Sequence, residues 1–251
     1  MPEDHPVLYG RHASPFVRRV AVTLRLYGMD YKHEPLMPFG PDKAKLARFN
    51  PIARVPALKL ADGEMLIDSA VILDYLDGLA GPERALTSAA GQARRRVLTL
   101  LAVAHGANEK LVIGLYERHF RPREAWHRPW LDTCDKQVRD GFVWLNAAFA
   151  GPYFLGETMT HADITVAVFW LFVRGKRPNF MAGLGCGRLD EFGEPAAGHA
   201  GLSGDRAGGG DSAERTRPKH VLINPQLPWI WPSFDCFVGG RRPGIWLGRQ
   251  A

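Results

Sequence analysis

The chain has 251 residues, 46% of them hydrophobic and 23% charged, the balance of a globular protein with room for one large domain or two modest ones. No apolar run approaches the ~18 residues of a bilayer span, Met1 to His5 is polar without a signal-peptide core, and Cys134, Cys186 and Cys236 form no CxxC pair. A membrane span, a disulfide framework and a zinc site are therefore not expected, and a reducing cytoplasm is. The net charge of +6 raises the question of nucleic acid. Its lysines and arginines are scattered apart from Arg94-Arg95-Arg96, which suits a solvated surface that also favours anionic ligands.

Pro6 to Tyr9 reads as a first strand, ended by Gly10. Ser14 then caps a helix that opens on Pro15, carries an apolar pattern from Phe16 to Leu26, and closes at Gly28. Tyr31 to Leu36 is a second strand, and Pro41 to Asn50 a short helix stopped by Pro51. Val55 to Leu60, an Asp62-Gly63 turn and Met65 to Ile67 form a hairpin. Asp68-Ser69 caps a helix with Val71, Ile72, Tyr75, Leu76 and Leu79 expected on its inner face. The order βαβαββα over about 75 residues is that of a thioredoxin-like fold, although periodicity alone allows other small α/β folds. Gly81-Pro82 reads as a linker. Beyond it only helices are expected, at about 89–118, 125–149, 161–174 and 178–191. From Gly193 the composition turns to Gly, Ala and charge, then to Pro, Gly and Trp, without a helix-packing face.

Three features of the first half carry chemistry. Ser14-Pro15-Phe16 sits where a strand meets a helix N-terminus, whose free N–H groups and positive dipole end stabilise an anion such as a thiolate. A hydroxyl there can donate to a ligand sulfur and lower its pKa. Val55-Pro56 precedes a strand, and Asp68-Ser69 stands at a second helix N-terminus, where its carboxylate and hydroxyl can hold an ammonium and a carboxylate. Taken singly, each reads as well as a cap or a strand start.

In this order and at these spacings the three resemble the glutathione site of the cytosolic glutathione transferases. Asn50-Pro51 followed by Val55-Pro56-Ala57-Leu58 looks like the family's "NP…VP.L" segment, and Asp68-Ser69 like its "(E/D)S" pair. The resemblance spans about residues 7 to 192. It implies a thioredoxin-like glutathione-binding domain over 1–80 and an all-helical domain over 88–192. It further implies that Ser14 activates the glutathione thiol, that Val55, after which Pro56 is cis, pairs with the cysteinyl main chain, and that Asp68 and Ser69 hold the γ-glutamyl end. Phe16 and Arg11 complete the expected glutathione-binding set. Omega-like members carry Cys-Pro-Phe at this turn; Ser-Pro-Phe here speaks against mixed-disulfide chemistry. Glutathione is thus expected as co-substrate, with no metal, and the second substrate as a hydrophobic electrophile between the domains. The implied setting is detoxification by a cytoplasmic homodimer. Tyr116, His119, Phe120, Trp126 and Trp130 are candidates for that pocket, although aromatics at such spacing are more often core. A glutathione-dependent isomerase and a non-catalytic binding or regulatory protein are the alternatives.

In the helical half Thr160 and Asp163 form a capping box, flanked by Met159 and Ile164 as a hydrophobic staple. This structural motif matches the family's "G…(S/T)xAD". After Leu189-Asp190-Glu191 the resemblance stops, and 193–251 reads as an irregular, disordered tail foreign to the family. With suitable codons, Gly193 to Asp211 read one nucleotide later gives ASRLQGMPAFQATAPEAE, very like the family's "PAF" continuation. A frameshift is therefore expected. Sequencing the encoding DNA checks it: the +1 frame beyond Leu189 should yield family-like helical sequence, and any other product refutes it.

Overall fold

The computed structural model describes residues 5–193. The tail expected to be irregular, and the frameshift expected within it, fall beyond residue 193 and lie outside the described residues.

Strands β1 (Val7–Tyr9), β2 (Lys32–Glu34), β3 (Ala57–Lys59) and β4 (Met65–Ile67) form one sheet in the order β2-β1-β3-β4. β1 runs parallel to β2 and antiparallel to β3, with Leu8 opposite both His33 and Leu58. Alternation sorts the strand residues onto two faces. Leu8 and Leu58 pack with Val17, Val20 and Leu24 of α1 (Pro15–Leu26) and Ile72 and Leu76 of α3 (Ser69–Ala80). Val7, Tyr9 and Ala57 point the other way, onto Leu46 of α2 (Asp42–Leu46). This is the thioredoxin-like arrangement the βαβαββα order predicts.

The second half is helical: α4 (Gly91–Phe120), α5 (Arg128–Ala148), α6 (His161–Lys176) and α7 (Gly187–Gly193). α6 is the central element, buried without interruption from His161 to Trp170. Its Ile164 and Phe169 share a core with Leu100 and Leu111 of α4, Phe142 and Leu145 of α5, and Leu189 of α7. Phe16 and Val22 of α1 join that core too, so α1 packs on both the sheet and the bundle. The Thr160–Asp163 capping box is present, with Asp163 Oδ2 accepting from Thr160 N at 2.8 Å. Asp163 Oδ1 also accepts from Phe154 N at 2.8 Å, tying the preceding loop to the same carboxylate.

Four expectations need correction. Val71 and Leu79 do not lie on the inner face of α3; both are more than half exposed, while Leu73 is buried. The buried stripe is Ser69, Ile72, Leu73, Leu76 and Asp77, and the two exposed positions fall outside it at 100° per residue. The helix expected at 178–191 is confined to α7, because Gly183 and Gly185 take positive φ and the chain turns before it. The helix expected from 125 begins at Arg128, after Pro122 and a 3₁₀ turn at Arg123–Ala125. Finally, α4 is by length and composition long and apolar enough to cross a membrane, its most apolar 18-residue window reaching a mean hydropathy of 1.2. In this fold its Leu100, Ala104 and Leu111 are buried against the bundle.

Asp77 joins the two halves. Its carboxylate accepts from Tyr27 OH of the α1 end, from Leu86 N (3.1 Å) and Thr87 N (3.0 Å) of the connection, and lies 3.0 Å from His161 Nε2 at the start of α6. Burial pushes its pKa up, but the bonds from His161 and Tyr27 outweigh this and hold it below the ordinary aspartate value. Its contribution is therefore complete above the ~3.9 of an unfolded aspartate and is lost as pH falls through its lower native value. Asp77→Ala removes the acceptor of Tyr27 OH, Thr87 N and His161 Nε2, and one of the two acceptors of Leu86 N, and is expected to cost about 3–5 kcal/mol. Urea melts at pH 7 should show this loss, and the gap between wild type and variant should narrow at pH 3.

Candidate functional site

The expected site residues gather around two helix N-termini. β1 ends at Gly10, whose φ of +118° favours glycine and whose added Cβ would stand 2.6 Å from Val17 Cγ2 and 2.7 Å from Val55 Cβ. Gly10 thus sets how closely the α1 turn approaches the turn before β3. Arg11 to Ser14 closes with Ser14 N donating to Arg11 O at 2.9 Å. Ser14 is the N-cap of α1, in extended backbone, and its Oγ accepts from Val17 N at 3.5 Å. The hydroxyl hydrogen is therefore not used in that bond. Arg11 is exposed and Ser14 half-buried.

Val55 is half-buried and joined to the buried Pro56 by a cis peptide bond. Its main chain lies outside the β3 ladder, which begins at Ala57. Asp68, the exposed N-cap of α3, takes φ +72° and accepts from Ala70 N at 2.8 Å. A non-glycine residue held at positive φ is a conformation that clusters at ligand-binding sites.

Two members of the set are placed differently from expectation. Phe16 does not offer its ring: it is 7% exposed, packed 5.3 Å from the rings of both Phe169 and His105. What it presents in the first turn of α1 is main chain. Ser69 is fully buried, its Oγ accepting from Arg19 Nη2 at 2.7 Å.

Arg18 and Arg19 are both buried. Arg18 is 8% exposed and its Nε donates to His12 O at 3.0 Å, bracing the turn. Arg19 is 1% exposed and reaches Ser69 of α3 and, at 3.3 Å, Thr165 Oγ1 of α6. Burial lowers its pKa to about 10, with the charge of Asp68 opposing. The sequence also gave no warning of His33, whose ring stacks on His12 at 3.9 Å and whose Nε2 lies 2.8 Å from Gly10 O. Burial, then His33 and the nearby Arg18 and Arg25, lower His12 to about 4, which leaves it neutral at pH 7. Only the parallel β1–β2 register brings these two rings together.

One face of α4 looks toward this half. His105 meets Phe16, Glu109 Oε1 accepts from Arg54 Nη2 at 2.5 Å, and Tyr116 and Phe120 lie edge-on to Phe39 at 6.2 and 5.3 Å. His119 packs on Phe120. Trp126 and Trp130 are not placed in this cluster; they lie against Arg128 and Lys110. Among the described residues no group of His, Cys, Asp or Glu is arranged to hold a metal. Gly10→Ala forces Val17 and Val55 apart in a strained backbone, and is expected to cost about 1–3 kcal/mol of stability; thermal melts of the variant measure it.

Known proteins resemble this chain in sequence and in fold. Residues 8–84 match the family described as glutathione S-transferase, N-terminal domain. The chain is 34% identical over 70 residues to the uncharacterized GST-like protein YibF of Escherichia coli K12, a match that spans only 34% of that protein. It is 27% identical over 176 residues to maleylacetoacetate isomerase of Rattus norvegicus, covering 66% of this chain and 77% of that one. Among solved structures, a glutathione transferase family member from Pseudomonas fluorescens Pf-5, with bound glutathione, superposes with a TM-score of 0.69 at 31% identity. That likeness covers 78% of this chain and 95% of the other. A thioredoxin-like sheet followed by a helical bundle, with likeness of that extent to such a protein, places the chain in the glutathione transferase family.

Proposed function

We propose that the protein is a serine-type glutathione transferase, which joins the glutathione thiolate to a hydrophobic electrophile. The observations that carry this reading are Ser14 as the cap of α1 and Asp68 as the cap of α3, Gly10 in close contact with both Val17 and Val55, and Arg19 of α1 bonded to Ser69 at the start of α3. In it, Ser14 Oγ donates its hydrogen to the glutathione sulfur while still accepting from Val17 N. That bond and the positive end of α1 lower the thiol pKa, so that more thiolate is present near pH 7. The main chain of Val55 pairs with the cysteinyl residue. The exposed carboxylate of Asp68 takes the γ-glutamyl ammonium, and the N-terminus of α3 takes the adjoining carboxylate. Ser69 acts from behind, held by Arg19, and Arg11 is free to meet the glycyl carboxylate. The sulfur then forms its new bond to the electrophile, whose leaving group departs with the electron pair. Phe39, Tyr116 and Phe120 offer the apolar surface for that partner, and the working unit is a homodimer in the cytoplasm, with a role in detoxification.

The likeness to a maleylacetoacetate isomerase favours a second reading, in which glutathione adds to the substrate and leaves again unchanged. Glutathione consumption separates the two, since conjugation uses one molecule per turnover and isomerisation none. The main test is retention on immobilised glutathione together with conjugation of a generic aryl halide; retention without turnover indicates a binding protein. A hydrogen bond to a charged group contributes about 1.5–3 kcal/mol, so Ser14→Ala should lower kcat roughly 10- to 100-fold. It should also move the pH–rate profile to higher pH, because the thiol loses a donor to its anion. Unchanged turnover and profile would refute the role of Ser14.

A further inference from the structure

The turn between β1 and α1 carries Ser14, and the partners of its main-chain carbonyls can be traced one by one. Arg11 O accepts from Ser14 N at 2.9 Å, and His12 O accepts from Arg18 Nε at 3.0 Å. Both of these bonds stay within the turn and α1, so they shape the turn without tying it to the sheet. Gly10 O has a partner of another kind: Nε2 of His33, on β2, lies 2.8 Å from it. A carbonyl oxygen can only accept, so that nitrogen carries the hydrogen. Gly10 N in turn donates to Glu34 O of β2, also at 2.8 Å. Gly10 is where the chain leaves β1, at φ +118°. With its N–H and its C=O both held by β2, the direction in which the Ser14 turn departs from the sheet is fixed.

His33 is exposed on the edge strand β2, and an exposed side chain keeps its bond only if something limits its rotamers. The ring of His12 does this. The two imidazoles lie face to face, 3.9 Å apart and 8° from parallel, and His12 is itself half-buried with its Nε2 3.5 Å from Tyr31 OH. Burial, then His33, Arg18 and Arg25, lower His12 to about 4, so at pH 7 the stack adds no charge beside those two arginines. We propose that His33, oriented by its stack on His12, is a positioning residue for Ser14, acting through Gly10 and without contact to glutathione. The inference rests on the reading of Ser14 as donor to the glutathione sulfur. The γ-glutamyl end is held in that reading at α3, away from this turn. Loss of His33 should therefore disturb the activation of the thiol more than the binding of the tripeptide.

The test is steady-state conjugation of glutathione to a generic aryl halide across pH, with the full chain and three variants of His33. The site is exposed, so all three should melt close to the wild-type temperature. A 1 Å misplacement at a reacting group can cost about 100-fold. For the smaller shift that His33→Ala allows, kcat should fall roughly 5- to 20-fold. The pH–rate midpoint should rise by about half a unit or more, and KM for glutathione should stay within about twofold. His33→Phe keeps a ring but no donor and should behave like His33→Ala. His33→Gln keeps a donor near the position of Nε2 and should recover kcat to within about threefold of wild type. In a Ser14→Ala background His33→Ala should cost less than about twofold, because residues that act as a unit are not additive. The proposal is overturned if His33→Ala leaves kcat and the pH midpoint unchanged, or raises KM instead. It is equally overturned if His33→Phe matches wild type, if His33→Gln is as poor as His33→Ala, or if the costs multiply in the double variant. A wild-type protein that conjugates nothing refutes the transferase reading and this inference with it. Wild-type turnover that His33→Ala does not alter refutes this inference alone.

Discussion

The interaction on which the site depends is a buried cation. Arg19 leaves α1 and ends against Ser69 at the start of α3 and Thr165 in α6. A guanidinium out of contact with water is costly, and two neutral hydroxyls compensate only part of that cost. Bonds from its Nη1 and Nη2 nevertheless join three helices, using the fixed fork of a guanidinium. The start of α3 is therefore fixed relative to α1 from below, while Ser14 and Asp68 face outward. A ligand bound across the two helix N-termini meets groups whose spacing is already set, which is how a small site limits the entropy lost on binding.

The second constraint is the single carboxylate of Asp77, which receives donors from the end of α1, from the connection and from α6. Because α6 is also the central helix of the bundle, its position against the first half is set by a polar clasp at one end and by Phe16, His105 and Phe169 further along. The α4 face of Glu109 and Tyr116 meets Arg54 and Phe39 of the first half.

Much of the fold was legible in the sequence because its signals are local. Ser14-Pro15 and Gly28 bracket α1, Asp62-Gly63 makes the hairpin, and Thr160 with Asp163 starts α6; each is a short-range hydrogen-bonding or backbone preference. The misreadings came where local signals are weak. Val71 and Leu79 are apolar but fall off the buried stripe of α3. Residues 178–186 carry apolar side chains while Gly183 and Gly185 turn the backbone. The 3₁₀ turn at Arg123–Ala125 is too short to leave a periodic pattern.

By itself, the sequence determined the order of the elements, the caps, and three parts of the candidate site: Ser14, Val55-Pro56 and Asp68. These depend on residues adjacent in the chain, where chemistry and spacing are visible together. Only the tertiary structure decided which arginine lies beneath the site, since nothing local distinguishes Arg11, Arg18 and Arg19 and burial separates them. It also decided that Phe16 serves the core, that Ser69 faces inward, and that His12 stacks on His33. Each of these depends on a partner 21 to 153 positions away in the numbering, from the His33 that stacks on His12 to the Phe169 that encloses Phe16. Contacts across such separations are created by packing, and no local pattern of residues encodes them.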